Sequence, residues 1–98
     1  MLTHQADPHQ TAAFLTRCAR YYERNPQAIQ QGRHVASVLA ELSPFYPSDL
    51  SAALEAVREE IGAAGVVGAL AVWSARHTAK EAADLLRQAA ERAAHETH

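Results

Sequence analysis

The uncharged stretch between Gly62 and Arg76, GAAGVVGALAVWSAR, is the feature that most constrains the fold of this chain. From Ala63 to Ala75 it contains no charged residue, and Ser74 is its only polar side chain. A helix that is apolar on all sides belongs in the interior of a protein. This one is also too short to span a bilayer, which takes roughly 20 residues. We therefore predict that the stretch forms the fourth helix of a bundle and lies at its centre.

The overall composition predicts a small all-α domain. The 98 residues include 48% hydrophobic and 20% charged side chains, which is typical of one globular domain rather than of a disordered chain. Alanine is frequent, glycine and proline are few, and no segment alternates polar and apolar residues as a half-buried strand does. We expect residues 1–98 to fold as a single small bundle of about five helices.

Capping signals divide the chain into these helices. Asp7-Pro8 and Asn25-Pro26 each place a capping side chain before a proline that suits the first turn of a helix. Thr78 and Glu81 have the spacing of a capping box, and Gly62 suits the left-handed position that ends a helix. The predicted helices cover residues 8–24, 26–42, 48–61, 63–76 and 78–95.

The sequence lacks the patterns that indicate catalysis. Cys18 is the only cysteine, and its place among the apolar residues of the first helix favours a buried thiol. Glu55, Glu59 and Glu60 form the one acidic cluster, and helical spacing puts them on a solvent-facing side. No strand precedes a glycine-rich loop that could hold a phosphate. We therefore expect that the protein is not an enzyme and needs no cofactor.

Six histidines raise the question of a metal site. His95 and His98 are three residues apart, a spacing compatible with two ligands from one helical face, but they lie at the end of the chain, where helices fray. Neither a cysteine pair nor an HExxH motif accompanies them. We expect no metal site.

A stripe of arginines on the first helix supports an alternative function in nucleic-acid association. Arg17, Arg20 and Arg24 share one face of this helix, and Arg33 follows nearby in the sequence. Arginine side chains contact phosphate, and the two neighbouring tyrosines are of a type that stacks on bases. The net charge of −2 provides no overall attraction to nucleic acid, so this function ranks second.

Two apolar features favour a surface for another protein. Phe45 and Tyr46 stand between two prolines in a stiff loop, where they either fill the core or form an exposed knob. Leu85, Leu86 and Ala89 belong to an alanine-rich face of the last helix, which is shallow enough for another helix to approach closely. A bundle of this size leaves part of its apolar surface uncovered.

The sequence thus predicts a small protein-binding module, namely an adaptor, chaperone or inhibitor that acts through helix–helix contacts. The partner would be another protein or a second copy of the chain, and the contact residues would be Phe45, Tyr46, Leu85, Leu86 and Ala89. The first residues, MLTHQADPHQ, lack the basic start and apolar run of a secretory signal. We expect a cytoplasmic, bacterial protein without a membrane partner.

Overall fold

Helices account for the regular secondary structure in the computed structural model, which describes residues 7–42, 47–62 and 68–95. Within these ranges the helices are α1 (Pro8–Arg24), α2 (Val35–Glu41), α3 (Pro47–Ile61), α4 (Ala69–Ala75) and α5 (Ala79–His95). The predicted all-α bundle of five helices is confirmed. None of the helices in the described ranges combines the length and apolar character needed to cross a membrane.

The core lies chiefly between α1 and α5, with α3 packed beside them. Large side chains of α1 meet small ones of α5, so the two helix axes approach closely and bury a continuous apolar seam. The buried residues of this seam are Phe14, Leu15, Cys18, Ala19 and Tyr22 on α1, and Ala79, Ala82, Ala83, Leu85, Leu86, Ala89, Ala90 and Ala93 on α5.

Local capping begins and ends the long helices as the sequence predicts. The Asp7 carboxylate accepts a hydrogen bond from the backbone N–H of His9 at 2.9 Å and caps α1. Thr78 and Glu81 form a reciprocal capping box before α5: the Glu81 carboxylate accepts from the Thr78 N–H at 2.9 Å, and the Thr78 hydroxyl accepts from the Glu81 N–H at 3.2 Å. Gly62 follows α3 with a φ of +70°.

The predicted helix over residues 26–42 is wrong in its first half. The chain forms hydrogen-bonded turns up to Gly32, and α2 begins only at Val35. Gly32 has a φ of +84°, a left-handed conformation that interrupts a right-handed helix. His34 then acts as the N-cap of α2, because its Nδ1 accepts a hydrogen bond from the Ser37 N–H at 3.3 Å.

The fourth helix differs from its prediction as a central element. Residues 63–67 lie outside the described part, and the described helix, α4, sits at the edge of the bundle. Gly68 has a φ of +78°, so α4 does not extend back through it. Only Leu70 and Ser74 of α4 are buried, whereas Val72 is 56% exposed. At seven residues α4 has fewer side chains to bury than α1 and α5, which have 17 residues each, so it gains less from a central position.

Ser74 ties α4 to the rest of the fold. Its hydroxyl donates a hydrogen bond to the backbone oxygen of Leu70 at 2.7 Å and accepts one from the buried N–H of Val35 at 3.0 Å. The second bond satisfies a backbone donor at the first turn of α2, where no carbonyl is available within the helix. The one polar residue of the apolar stretch therefore has a structural role.

Candidate functional site

The predicted partner surface on α5 is part of the core. Leu86 and Ala89 are fully buried, and Leu85 is only 6% exposed. The shallow alanine face accepts α1 rather than another protein. The prediction that these three residues form a free contact surface is therefore corrected: they stabilise the bundle. Phe45 and Tyr46, the other predicted contact residues, lie outside the described residues.

The arginine stripe, defined as Arg17, Arg20 and Arg24, is exposed along α1. The Arg17 guanidinium lies over the ring of Phe14, with its central carbon 5.6 Å from the ring centre. Within the described residues, neither Arg17 nor Arg24 forms an ion pair with a carboxylate. Arg20 lies close enough to Glu23 to help lower the pKa of that carboxyl, so part of the charge of the stripe is compensated.

Arg33 reaches the same side of the molecule through Tyr21 on α1. Its guanidinium donates a hydrogen bond to the Tyr21 hydroxyl, which raises the pKa of Arg33, and it lies over the Tyr21 ring. Arg33 is also 3.7 Å from a carboxylate oxygen of Glu41. Part of its charge is thus compensated within the fold, in contrast to the charges of Arg17 and Arg24.

A cleft of about 360 Å³ opens where the ends of α3 and α4 meet the first half of α5. We call it the aromatic cleft, lined by Glu60, Ile61, Trp73, His77, Glu81, Asp84, Leu85 and Gln88. Trp73 and His77 are one helical turn apart, and their rings stack with centres 3.9 Å apart and planes 5° from parallel. The His77 Nδ1–H donates to the backbone oxygen of Trp73 at 2.6 Å. The stack gives the cleft a fixed, partly exposed aromatic wall.

The charged groups of the aromatic cleft are acidic. Glu60 pairs with Arg92 at 2.9 Å. The Thr78 N–H lowers the pKa of Glu81 by hydrogen bonding to its carboxylate. Asp84 is exposed and has no ion pair within the described residues. Glu81 and Asp84 thus leave negative charge beside the aromatic wall.

A second cleft, of about 320 Å³, lies between the start of α1, the middle of α3 and the end of α5. We call it the alanine cleft, lined by Pro8, Thr11, Ala52, Glu55, Ala56, Glu59 and Ala93. Thr11, Ala56 and Ala93 are buried and form its inner wall, whereas Glu55 and Glu59 are exposed at its mouth. The Thr11 hydroxyl oxygen is buried and has no hydrogen-bond partner among the described residues.

The histidines and the cysteine are spread over the molecule. His95 is exposed at the end of α5, His98 lies outside the described residues, and His34 and His77 serve as a cap and a stacking partner. In residues 7–42, 47–62 and 68–95, no group of three or more metal-ligating side chains comes together. Burial raises the pKa of the Cys18 thiol to about 12, so this group is held in its poorly nucleophilic protonated form.

Sequence reasoning missed both clefts, although each left a signal. Thr11 occupies a position that the periodicity of Phe14, Leu15 and Cys18 assigns to the buried face of α1, and a polar residue at such a position calls for a partner. Trp73 and His77 are four residues apart, which places their rings on one helical face. The carboxylates that complete each cleft come from other helices, so the sequence did not connect them.

Comparison with known proteins gives no family assignment: no family model, curated protein or solved structure matches the chain.

Proposed function

We propose that this protein is a small protein-binding module that takes up an arginine-containing segment of a partner protein in the aromatic cleft. The observation that carries the proposal is the Trp73–His77 stack beside Glu81 and Asp84, which form no ion pair within the described residues. The proposed binding surface is thus the aromatic cleft and not the face of α5 expected from the sequence. The predicted class of function, a protein-binding module, is kept.

The chemistry of the cleft matches an arginine side chain in three respects. A guanidinium group is attracted to the face of an indole such as Trp73. It forms charge-assisted hydrogen bonds with a carboxylate, for which Asp84 is available. Its aliphatic stem suits the partly exposed Ile61, which adjoins the cleft on α3.

Negative charge in the cleft also selects against other partners. An acidic segment would meet Glu81 and Asp84, and like charges at short range oppose binding. A neutral apolar segment would leave these carboxylates desolvated and unpaired. A basic segment is therefore the partner that the cleft accommodates at the lowest cost.

Binding can be measured by the anisotropy of a fluorescent octapeptide that contains two arginines, with an acidic octapeptide as the comparison ligand. We expect the Trp73→Leu and Asp84→Asn variants to weaken binding by about fivefold each. The matched controls are Val72→Ala, which alters an exposed residue of the same helix, and Glu41→Gln, which removes a carboxylate outside the cleft.

Equal affinity of all four variants, or equal affinity for the acidic peptide, would overturn the proposal. Self-association would appear in ultracentrifugation as a mass that rises with protein concentration. If the Asp84→Asn variant weakens this association, the partner segment is a second copy of the chain with its own arginines.

Nucleic-acid association is a second candidate, favoured by Arg17 and Arg24 of the arginine stripe, which form no ion pair within the described residues. Its test is the affinity of a short DNA duplex as a function of salt. The slope measured is that of log affinity against log salt concentration. Replacement of Arg17, Arg20 and Arg24 by Glu should reduce the size of this slope by about 0.9 for each phosphate that the protein ceases to neutralise. Arg76→Glu, an exposed arginine outside the stripe, is the control. An unchanged slope in the triple variant would exclude the stripe as a nucleic-acid site.

A further inference from the structure

The alanine cleft has no part in the proposed recognition of arginine, yet it holds the one buried side-chain polar atom without a hydrogen-bond partner in the described residues, the Thr11 hydroxyl oxygen. We propose that this cleft is a binding site for a primary ammonium group carried on a short aliphatic chain. Its volume of about 320 Å³ suits a small ligand or a single side chain rather than a helix.

The Thr11 hydroxyl supplies the first requirement, a polar group that gains from a ligand. Thr11 is only 2% exposed, so solvent does not satisfy its oxygen. A buried polar atom without a partner is destabilising, and a ligand that donates a hydrogen bond to it recovers that free energy. Threonine populates two χ1 rotamers within a helix, and rotation between them exchanges the positions of its methyl and hydroxyl groups. The hydroxyl can therefore turn toward a ligand without a change in the backbone.

Glu55 and Glu59 supply the second requirement, negative charge at the mouth of the cleft. They are four residues apart on α3 and so project from the same face of that helix. Arg92 approaches Glu59 only to 3.9 Å, whereas its closer contact is with Glu60 at 2.9 Å. An alkylammonium group carries three N–H donors and no acceptor, and Thr11, Glu55 and Glu59 offer three acceptors.

The walls of the cleft supply the third requirement, an apolar surface for the stem of the ligand. Pro8, Ala52, Ala56 and Ala93 present small aliphatic groups in the same cleft as Thr11, Glu55 and Glu59. A chain of three or four methylene groups packs on such a surface, and burial of each methylene favours binding. Anions are repelled by the two carboxylates, and a trimethylated amine has no N–H to donate.

The ligand chemistry has two sources, a free small amine and the side chain of a lysine in another protein. The experiment is a titration of ¹⁵N-labelled protein followed by two-dimensional NMR, with 1-aminobutane as the first probe and N-acetyl-lysine methylamide as the second. Butyltrimethylammonium and butanoate are the comparison ligands. The expected result is millimolar binding of the first two, with shifts centred on the backbone amides of Thr11, Ala56 and Ala93.

Three variants test the assigned contacts. Thr11→Val should weaken binding about fivefold, and the double variant Glu55→Gln with Glu59→Gln by at least as much. Thr16→Val is the matched control, since the Thr16 hydroxyl on the same helix already donates to the backbone oxygen of Ala12 at 2.8 Å. The native spectrum of each variant, recorded before the titration, shows that the fold is intact.

The outcomes decide the proposal and the source of the ligand. Binding of both amines, weakened about fivefold in Thr11→Val but kept in Thr16→Val, supports the site and points to a lysine of a partner. Binding of 1-aminobutane alone supports the site and points to a free amine. Absence of shifts at the alanine cleft, equal binding of butyltrimethylammonium, or unchanged binding in Thr11→Val would overturn it. NMR shifts confined to Trp73 and His77 would show binding at the aromatic cleft and would also overturn the amine site. The arginine recognition proposed for the aromatic cleft would still be tested by its own peptide experiment.

Discussion

Replacement of Thr11 by valine should make the protein more stable. Thr11 is 2% exposed on the buried face of α1, and its hydroxyl oxygen has no hydrogen-bond partner within residues 7–42, 47–62 and 68–95. A buried polar group of this kind costs about 1–3 kcal/mol relative to a satisfied one. Valine has nearly the same shape and a similar helix propensity, and it puts a methyl group where the hydroxyl was. We therefore expect Thr11→Val to raise the free energy of unfolding by about 1 kcal/mol.

Urea and thermal denaturation both measure this effect. For a chain of this length, about 1 kcal/mol corresponds to a rise in Tm of about 4–8 °C. The urea m-value should stay unchanged, because the surface exposed on unfolding is the same. Thr16→Val is the control: it removes a hydroxyl that donates to the Ala12 oxygen at 2.8 Å from a half-buried position. We expect it to leave the free energy of unfolding unchanged or to lower it by about 0.5–1 kcal/mol.

The difference in the free energy of unfolding between Thr11→Val and Thr16→Val tests whether the Thr11 hydroxyl lacks a hydrogen-bond partner. A decrease in stability in Thr11→Val would mean that the hydroxyl has a partner in the native protein. Equal effects of both substitutions would mean that the hydrogen bonding of the two threonines does not differ. A more stable Thr11→Val variant that binds amines less well would separate the binding role of Thr11 from any structural one.

Three further predictions test other parts of the structure. Ser74→Ala leaves the buried N–H of Val35 without its acceptor, so denaturation should show a decrease in stability of about 1–3 kcal/mol, and an unchanged midpoint would contradict the assigned bond. Burial raises the pKa of Cys18 from 9.0 to about 12, which lowers its thiolate fraction below pH 9 about a thousandfold, so native protein should react with iodoacetamide much more slowly than urea-unfolded chain. Comparable rates in a mass-spectrometric time course would show that the thiol is open to solvent. The Thr78 N–H lowers the pKa of Glu81 below 4.5, so the stability advantage of Glu81 over a Glu81→Gln variant should be full above pH 4.5 and vanish as the pH falls through the lowered pKa. An advantage that persists on acidification would rule out this contribution of the carboxylate.

Local interactions made several features predictable from the sequence. The cap of α1 at Asp7, the capping box of Thr78 and Glu81, and the end of α3 at Gly62 each depend on groups within about four residues of one another. Helical periodicity likewise identified the buried side of α1, because it depends only on spacing along one helix. The interruption at Gly32 was missed, since a glycine is compatible with a helix interior and with a left-handed turn alike.

Tertiary structure alone decided which apolar faces meet. Leu86 and Ala89 looked available to a partner, but α1 covers them, and the apolar α4 lies at the edge with Val72 exposed. The choice depends on how much area each pair of helices buries, and this is a property of two distant segments rather than of either one.

The two clefts also depend on packing between helices that are distant in the sequence. Thr11 and Glu55 line the alanine cleft together, and Trp73 and Glu60 line the aromatic cleft, only because α1, α3, α4 and α5 pack together. The sequence by itself determined that the chain is helical and where most of its helices begin and end, because those features follow from interactions between near neighbours. The buried faces, the unpartnered hydroxyl and the clefts belong to the tertiary structure, because each requires contacts between residues far apart in the chain.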